Sequence, residues 1–197
     1  RADVSDLAGN PAPQATKTIT LDNVAPGVSI ASPLEGDNLV NAAEDNTVTV
    51  SGATTGVENG QTVTVTLSDG TATVTTSATV SSNAWTAADA DISGLINGNI
   101  TVTADVSDVA GNPAPQATKT ITLDNVAPAT TITGIDISAD TGTSGSDFET
   151  NTTAQPVTAT LSAALATGEI LYGSVDGGTT WANITSFVPT GTTAITW

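Results

Sequence analysis

Ala2 to Pro26 reads ADVSDLAGNPAPQATKTITLDNVAP, and Ala104 to Pro128 reads the same string with one change, Val109 for Leu7. The two copies lie 102 residues apart in a chain of 197. That period is too long for a solenoid unit and matches one small β-domain of about 100 residues. Near-identity marks a recent tandem duplication. A catalytic centre gains little from being copied, whereas a spacer gains length with each copy. The repeat therefore favours a structural role.

The copies also set boundaries. Asp22-Asn23-Val24-Ala25-Pro26 and Asp124-Asn125-Val126-Ala127-Pro128 read as junctions, each closed by a proline that blocks strand continuation. The expected organisation is a C-terminal F–G piece of one domain (1–25), a complete domain (26–127) and an incomplete domain lacking its last strands (128–197).

The apolar residues are mainly Val, Ile, Ala and Leu beside abundant Thr, with aromatics at 3%. This is a strand-forming composition. In the complete domain, period-two alternation predicts strand A at 28–30, B at 46–51, C at 62–67, D within 71–80, E at 84–88 around Trp85, F at 100–106 and G at 116–123. Turn formers separate them, among them Glu58-Asn59-Gly60, Ser68-Asp69-Gly70, Asn97-Gly98 and Gly111-Asn112-Pro113. Seven short strands around a Trp predict an all-β, immunoglobulin-like sandwich of antiparallel strands, repeated in tandem. Strands at 131–133, 157–161 and 170–175 open the third domain in the same way. Alternation puts Lys119 on the face of Ile121 and Leu123, either as a guard of the terminal strand or with its stem snorkelling at the sandwich end.

Charge narrows the function classes. With 20 Asp+Glu against 3 Lys+Arg, the net charge is -17. That argues against nucleic acid or anionic membrane as partner, since phosphate binding needs Lys and Arg. No His or Cys is present, which removes imidazole relays, disulfides and thiolate metal sites. No apolar run reaches the ~18 residues of a membrane span. Six aromatic residues leave little for a sugar platform, and no groove is evident around a carboxylate pair, so catalysis is not expected. Without an initiator Met or a signal peptide, residue 1 is not expected to be the native start.

Oxygen is the ligand type on offer, which suits hard divalent cations and calcium above magnesium. In an up-down sandwich ending on strand G, the BC, DE and FG loops share the end facing the preceding junction. Asp22, Asn23, Glu58, Asp108 and Asn112 are expected there. The AB, CD and EF loops share the other end, with Glu35, Asp37, Glu44, Asp45, Asp89, Asp91, Asp124 and Asn125. A further cluster, Asp136, Asp140 and Asp147, opens the third domain. Carboxylates held within ~8 Å repel one another, and a cation or solvent relieves that. Asp69 and Asp176, each before a Gly, read as turn residues.

The D-x-A-G-N loop, the T-x-T-L-D strand end, the A-P that follows and the N-x-x-E stretch from Asn41 to Glu44 resemble bacterial immunoglobulin-like repeats. Ser138-Ala-Asp140-Thr-Gly and the run from Tyr172 to Trp181 are similar to another repeat type of the same proteins. Such repeats build the stalks of large calcium-dependent RTX-type and biofilm-associated adhesins. The resemblance implies an extracellular spacer whose partners are neighbouring repeats, with calcium at junctions on residues matching Asp22, Asp124, Asp108, Asn112 and Glu44. An alternative is a self-assembling filament subunit in which residues 1–25 of one copy complete the third domain of the next by strand addition.

Overall fold

The computed structural model describes all residues, Arg1–Trp197, and divides into two compact units, Arg1–Val126 and Ala127–Trp197. The first unit is a sandwich of two sheets. One sheet contains β1 (Gly27–Ile30), β3 (Ser51–Thr55) and β6 (Ala84–Thr86), in the order β1-β3-β6. The other contains β2 (Leu39–Val40), β4 (Thr62–Ser68), β5 (Thr73–Thr79), β7 (Gly98–Asp105) and β8 (Ala117–Leu123), in the order β2-β8-β7-β4-β5. All pairings are antiparallel except β2 with β8.

Alternation drives this layering. In β4, Val63, Val65 and Leu67 are fully buried while Thr62 and Thr64 face outward; in β7, Ile100, Val102 and Ala104 are buried between outward threonines. Ile121 and Leu123 complete that inner face, and Val48, Val50, Trp85 and Ile92 meet them from the opposite side. Each fully buried Val, Leu or Ile contributes about 1.5–3 kcal/mol of transfer free energy. A one-residue slip of any strand would turn its valines to water, so the pattern also sets the register.

Strand B differs from expectation. Val48 and Val50 are buried as alternation requires, but the ladder with β1 runs through Ser51–Thr55. The stretch before it is held singly: Val48 bridges Ala90, and the Thr49 amide donates to Glu35 Oε1 at 2.7 Å. Side-chain periodicity reports burial, and a ladder needs a neighbouring strand besides. Gly52 explains why pairing follows there. A Cβ on it would lie 1.9 Å from the Ser29 carbonyl oxygen and 2.6 Å from Trp85 Cζ2, so only glycine lets β1 and the indole close on β3.

The chain changes sheets between β1 and β2. The crossing turns through positive φ at Glu35, Gly36 and Asn38 and buries Leu34. Lys119 is half-buried on the face of Ile121 and Leu123, and its Nζ donates to Ser32 Oγ in this crossing at 2.7 Å. The half-buried side chain thus ends with its ammonium hydrogen-bonded at the sheet crossing.

Residues 1–25 carry no ladder strand. Isolated bridges join Ala2 to Ala15 and Ser5 to Pro11, and Lys17–Leu21 has no strand partner. The expected G-type strand is thus absent from this segment, which pairs with none of the unit's strands.

The second unit has a three-stranded sheet, β13-β10-β9, made from β9 (Ile132–Ile137), β10 (Val157–Leu161) and β13 (Ala194–Thr196). A separate pair joins β11 (Tyr172–Gly173) to β12 (Ala182–Asn183). Its buried core is Leu161, Leu171, Ile184 and Ile195.

Candidate functional site

The BC and FG loops meet at one end of the first sandwich. Asp108 opens the FG turn and is only 4% exposed. Its Oδ1 accepts the Asn112 amide at 2.7 Å, and its Oδ2 accepts Asn112 Nδ2 at 2.8 Å. The Asn112 side chain, aided by the backbone amides of the turn and opposed by desolvation, holds the Asp108 carboxyl below the usual carboxylate range. The same Nδ2 donates to the Asp22 carbonyl oxygen at 3.2 Å. Glu58 Oε2 accepts the Val109 amide at 2.9 Å, tying BC to FG. Asp22, Glu58, Asp108 and Asn112 are therefore brought together, with Asp22 contributing its carbonyl. The Asp22 carboxylate caps its own turn by accepting the Val24 amide, and Asn23 lies exposed beside it.

A matching arrangement occupies the other end. Asp45 is 6% exposed, and its Oδ2 accepts Asn125 Nδ2 at 2.9 Å. That Nδ2 also donates to the Ser93 carbonyl oxygen at 3.3 Å. At each end, then, one Asn amide bridges a buried Asp carboxylate and a backbone carbonyl. The remaining predicted acids at this end accept hydrogen bonds from nearby turns or from the strand B stretch. Glu44 Oε2 turns back to the Asn41 amide at 3.1 Å, and Asp124 Oδ1 accepts the Val126 amide at 3.3 Å. Asp37 accepts from Leu39, Asp89 from the Thr49 hydroxyl, and Asp91 from Ser93.

In the second unit, Asp140 Oδ2 accepts the Phe148 amide at 3.1 Å, and the Thr141 amide donates to the Glu149 carbonyl oxygen at 3.2 Å. These bonds close the 140–149 loop. Asp140 Oδ1 is buried inside it without a hydrogen-bond partner. Asp147 Oδ1 accepts the Glu149 amide, while Asp136 stands in β9 opposite Thr158. Nowhere do three Asp or Glu side chains converge on a single point close enough to share one metal ion.

The chain is similar to solved bacterial repeats. One is a tetra-tandem repeat in the extending region of a large adhesion protein, 23% identical with a TM-score of 0.44, over 98% of this chain and 46% of that one. A second is a Ca2+-stabilized adhesin that helps an Antarctic bacterium reach out and bind ice, 26% identical with a TM-score of 0.48 over the same shares. A third is a bacterial immunoglobulin-like domain from the M. primoryensis ice-binding adhesin, 31% identical with a TM-score of 0.34, over 51% of this chain and 98% of that one. The chain spans under half the length of the first two. No protein-family model and no curated protein matches it.

Two features of the site were not evident in the sequence. Ser93 enters through its carbonyl, which no residue type announces. Asp69 does more than shape its turn: Oδ1 accepts the Thr71 and Ala72 amides, and Oδ2 accepts the Ile96 amide at 2.8 Å, joining the CD turn to the EF segment. The Ile96 amide is the foremost of the donors that hold its carboxyl below the usual range.

Proposed function

We propose that this chain is a spacer segment of an extracellular bacterial adhesin stalk, mechanical and not catalytic, whose repeat junctions are stiffened by calcium. The observation that carries this reading is the bond from Asn112 to the Asp22 carbonyl. It ties the FG loop to the end of the copied N-terminal segment, 90 residues earlier in the chain.

Calcium takes six to eight oxygens from carboxylates, amide oxygens and backbone carbonyls. Asp108, Glu58, Asn112 and the Asp22 carbonyl would hold an ion at the preceding junction. Asp45, Asn125, Asp124 and the Ser93 carbonyl would do so at the following one. In the second unit, the orphaned Asp140 Oδ1 is an acceptor lacking a donor, and a cation held with Asp147 would satisfy it. The ion would supply charge neutralisation and a tie between loops. Ligand bound only by the folded state stabilises it by RT ln(1 + [L]/Kd). The partners in this reading are neighbouring repeats of the same chain.

Thermal unfolding in EDTA, then in millimolar calcium, then in millimolar magnesium tests it. The expected result is a calcium-specific rise in Tm of several degrees. Identical curves in all three would overturn the calcium part and leave a plain spacer.

A further inference from the structure

The parallel pair of the first sandwich joins the segment by which the chain enters it to the strand by which the chain leaves. β2 lies beside β8 with Leu39 opposite Thr122 and Val40 opposite Leu123. The two strands point the same way, so the chain enters the pair at the start of β2 and leaves it at the end of β8. Those are opposite ends. Tension along the chain therefore drags the two strands past each other lengthwise.

Three ties cross the gap between them. Lys119 Nζ donates to Ser32 Oγ at 2.7 Å. The Thr122 amide donates to the Asn38 carbonyl oxygen at 2.9 Å, and the Asp124 amide to the Val40 carbonyl oxygen at 2.9 Å. They follow the same order along both segments, so shear loads all of them at once, whereas peeling would break them one by one. The crossing cannot run out as slack. Leu34 and Val40 are 3% and 1% exposed, the Asn38 amide donates to the Leu34 carbonyl oxygen, and Asn38 Oδ1 accepts the Leu34 amide at 3.0 Å. Just past both strands, Asn125 Nδ2 holds Asp45 Oδ2.

We propose that residues 32–40 and β8 form a shear clamp, which bears tension along the chain and sets the force at which the first unit unfolds. β1 is four residues long and pairs with β3 alone, so it gives way first and passes the load to the clamp. The rest of the sandwich, β4 included, is still intact when the clamp parts. This rests on the mechanical-spacer reading and adds the element that carries the load. It is measured in EDTA, so its failure is separate from that of the calcium sites, which the Tm series reports.

Single-molecule pulling of the full chain by its two ends, in EDTA, tests it. Residues 27–124 span about 340 Å at full extension and residues 128–197 about 240 Å, so the events of the two units are told apart by length. Forced unfolding follows the unfolding barrier, and only contacts broken at that barrier change it. Val40→Ala should raise the unfolding rate of the first unit at fixed force at least about tenfold, and Lys119→Met about threefold. Val63→Ala is the same truncation at a fully buried position of β4, outside the clamp. It should lower the urea midpoint comparably and leave the forced rate within about twofold of the parent.

The direction of pulling gives a second arm. The chain has no Cys, so a thiol handle can be placed at will. Thr71 is exposed in the turn after β4, at the same end of the sheet as the end of β8. Pulling between Thr71→Cys and the C-terminus peels the sheet from that end, and the first unit should part at a lower force. Equal effects of Val40→Ala and Val63→Ala on the forced rate would overturn the proposal, as would a force unchanged by the move to position 71. Should Val40→Ala not fold, Lys119→Met decides, and a rate equal to the parent's would overturn it.

Discussion

Asn125 donates its side-chain amide to Asp45 Oδ2 at 2.9 Å, joining residues 80 positions apart at the end of the first sandwich. Asp45 is buried, so its carboxylate depends on that donor. Asn125→Ala should destabilise the first unit by about 1–3 kcal/mol, the cost of an unsatisfied buried acceptor, read as a lower urea midpoint. Asn125→Asp should be worse in EDTA, because it sets two carboxylates together. Under the calcium reading the loss should shrink when calcium is added. A deficit equal in EDTA and calcium would count against an ion at this end.

Gly52→Ala should cost about 3 kcal/mol, the upper range for overpacking a core. The obstruction on one side is the Ser29 carbonyl of the paired strand, and on the other the Trp85 ring. Neither can swing away. A variant as stable as the parent would show that β1 is not held against β3 as described.

The repeat supplies its own control for Lys119. Lys119→Met removes the donor to Ser32 Oγ and should lower stability by about 0.5–1.5 kcal/mol, the net worth of one hydrogen bond. Lys17→Met changes the identical sequence where no such partner exists, and should leave the unfolding midpoint unmoved. Chemical denaturation of the two variants side by side decides it.

Acid should loosen the second unit in a defined window. The Thr180 hydroxyl, then the Thr180 amide and the Ser174 hydroxyl, lower the Asp176 pKa from 3.8 to about 2. A depressed folded-state pKa means stability that is complete above 3.8 and disappears as pH falls through about 2. Asp108 and Asp69 are shifted in the same direction, so the first unit should follow that trend. Asp176→Asn should flatten the loss on acidification, measured through the emission of Trp181 and Trp197. Stability that increased on acidification across this range would contradict the assignment.

Backbone hydrogen exchange gives the most direct view of the duplicated segment. Amides of Ile121 and Leu123 lie within the β7–β8 ladder and should exchange slowly. Those of Ile19 and Leu21 should exchange at near-unfolded rates in dilute monomer. Assigned NMR spectra separate the two copies.

The strands of the first sandwich were legible wherever alternation coincided with a ladder, as in β4, β7 and β8. Each reads Thr-apolar-Thr-apolar, and each lies between a core and water. Strand B was legible only as burial, because Val48 and Val50 point inward from a stretch whose backbone bonds are scattered among Ala90, Glu35 and Ala87. β2 is two residues long and parallel to β8, and such a short pairing leaves no periodicity to detect. At one end of the first sandwich, loop topology sufficed to group Glu58, Asp108 and Asn112, since turn residues at that end must meet. It did not separate Asp45, which is buried and bonded to Asn125, from Glu44, which turns back on Asn41.

The sequence by itself determined the all-β character, the strand faces and the 102-residue repeat, because these depend on side-chain period and identity alone. Only the tertiary structure decided whether Lys-Thr-Ile-Thr-Leu becomes a strand. Residues 119–123 do so beside β7, over a core that buries Ile121 and Leu123. Residues 17–21 do not, although their propensity is the same. A strand's backbone groups and apolar face are stabilised by neighbours, which for these five residues lie outside the segment itself.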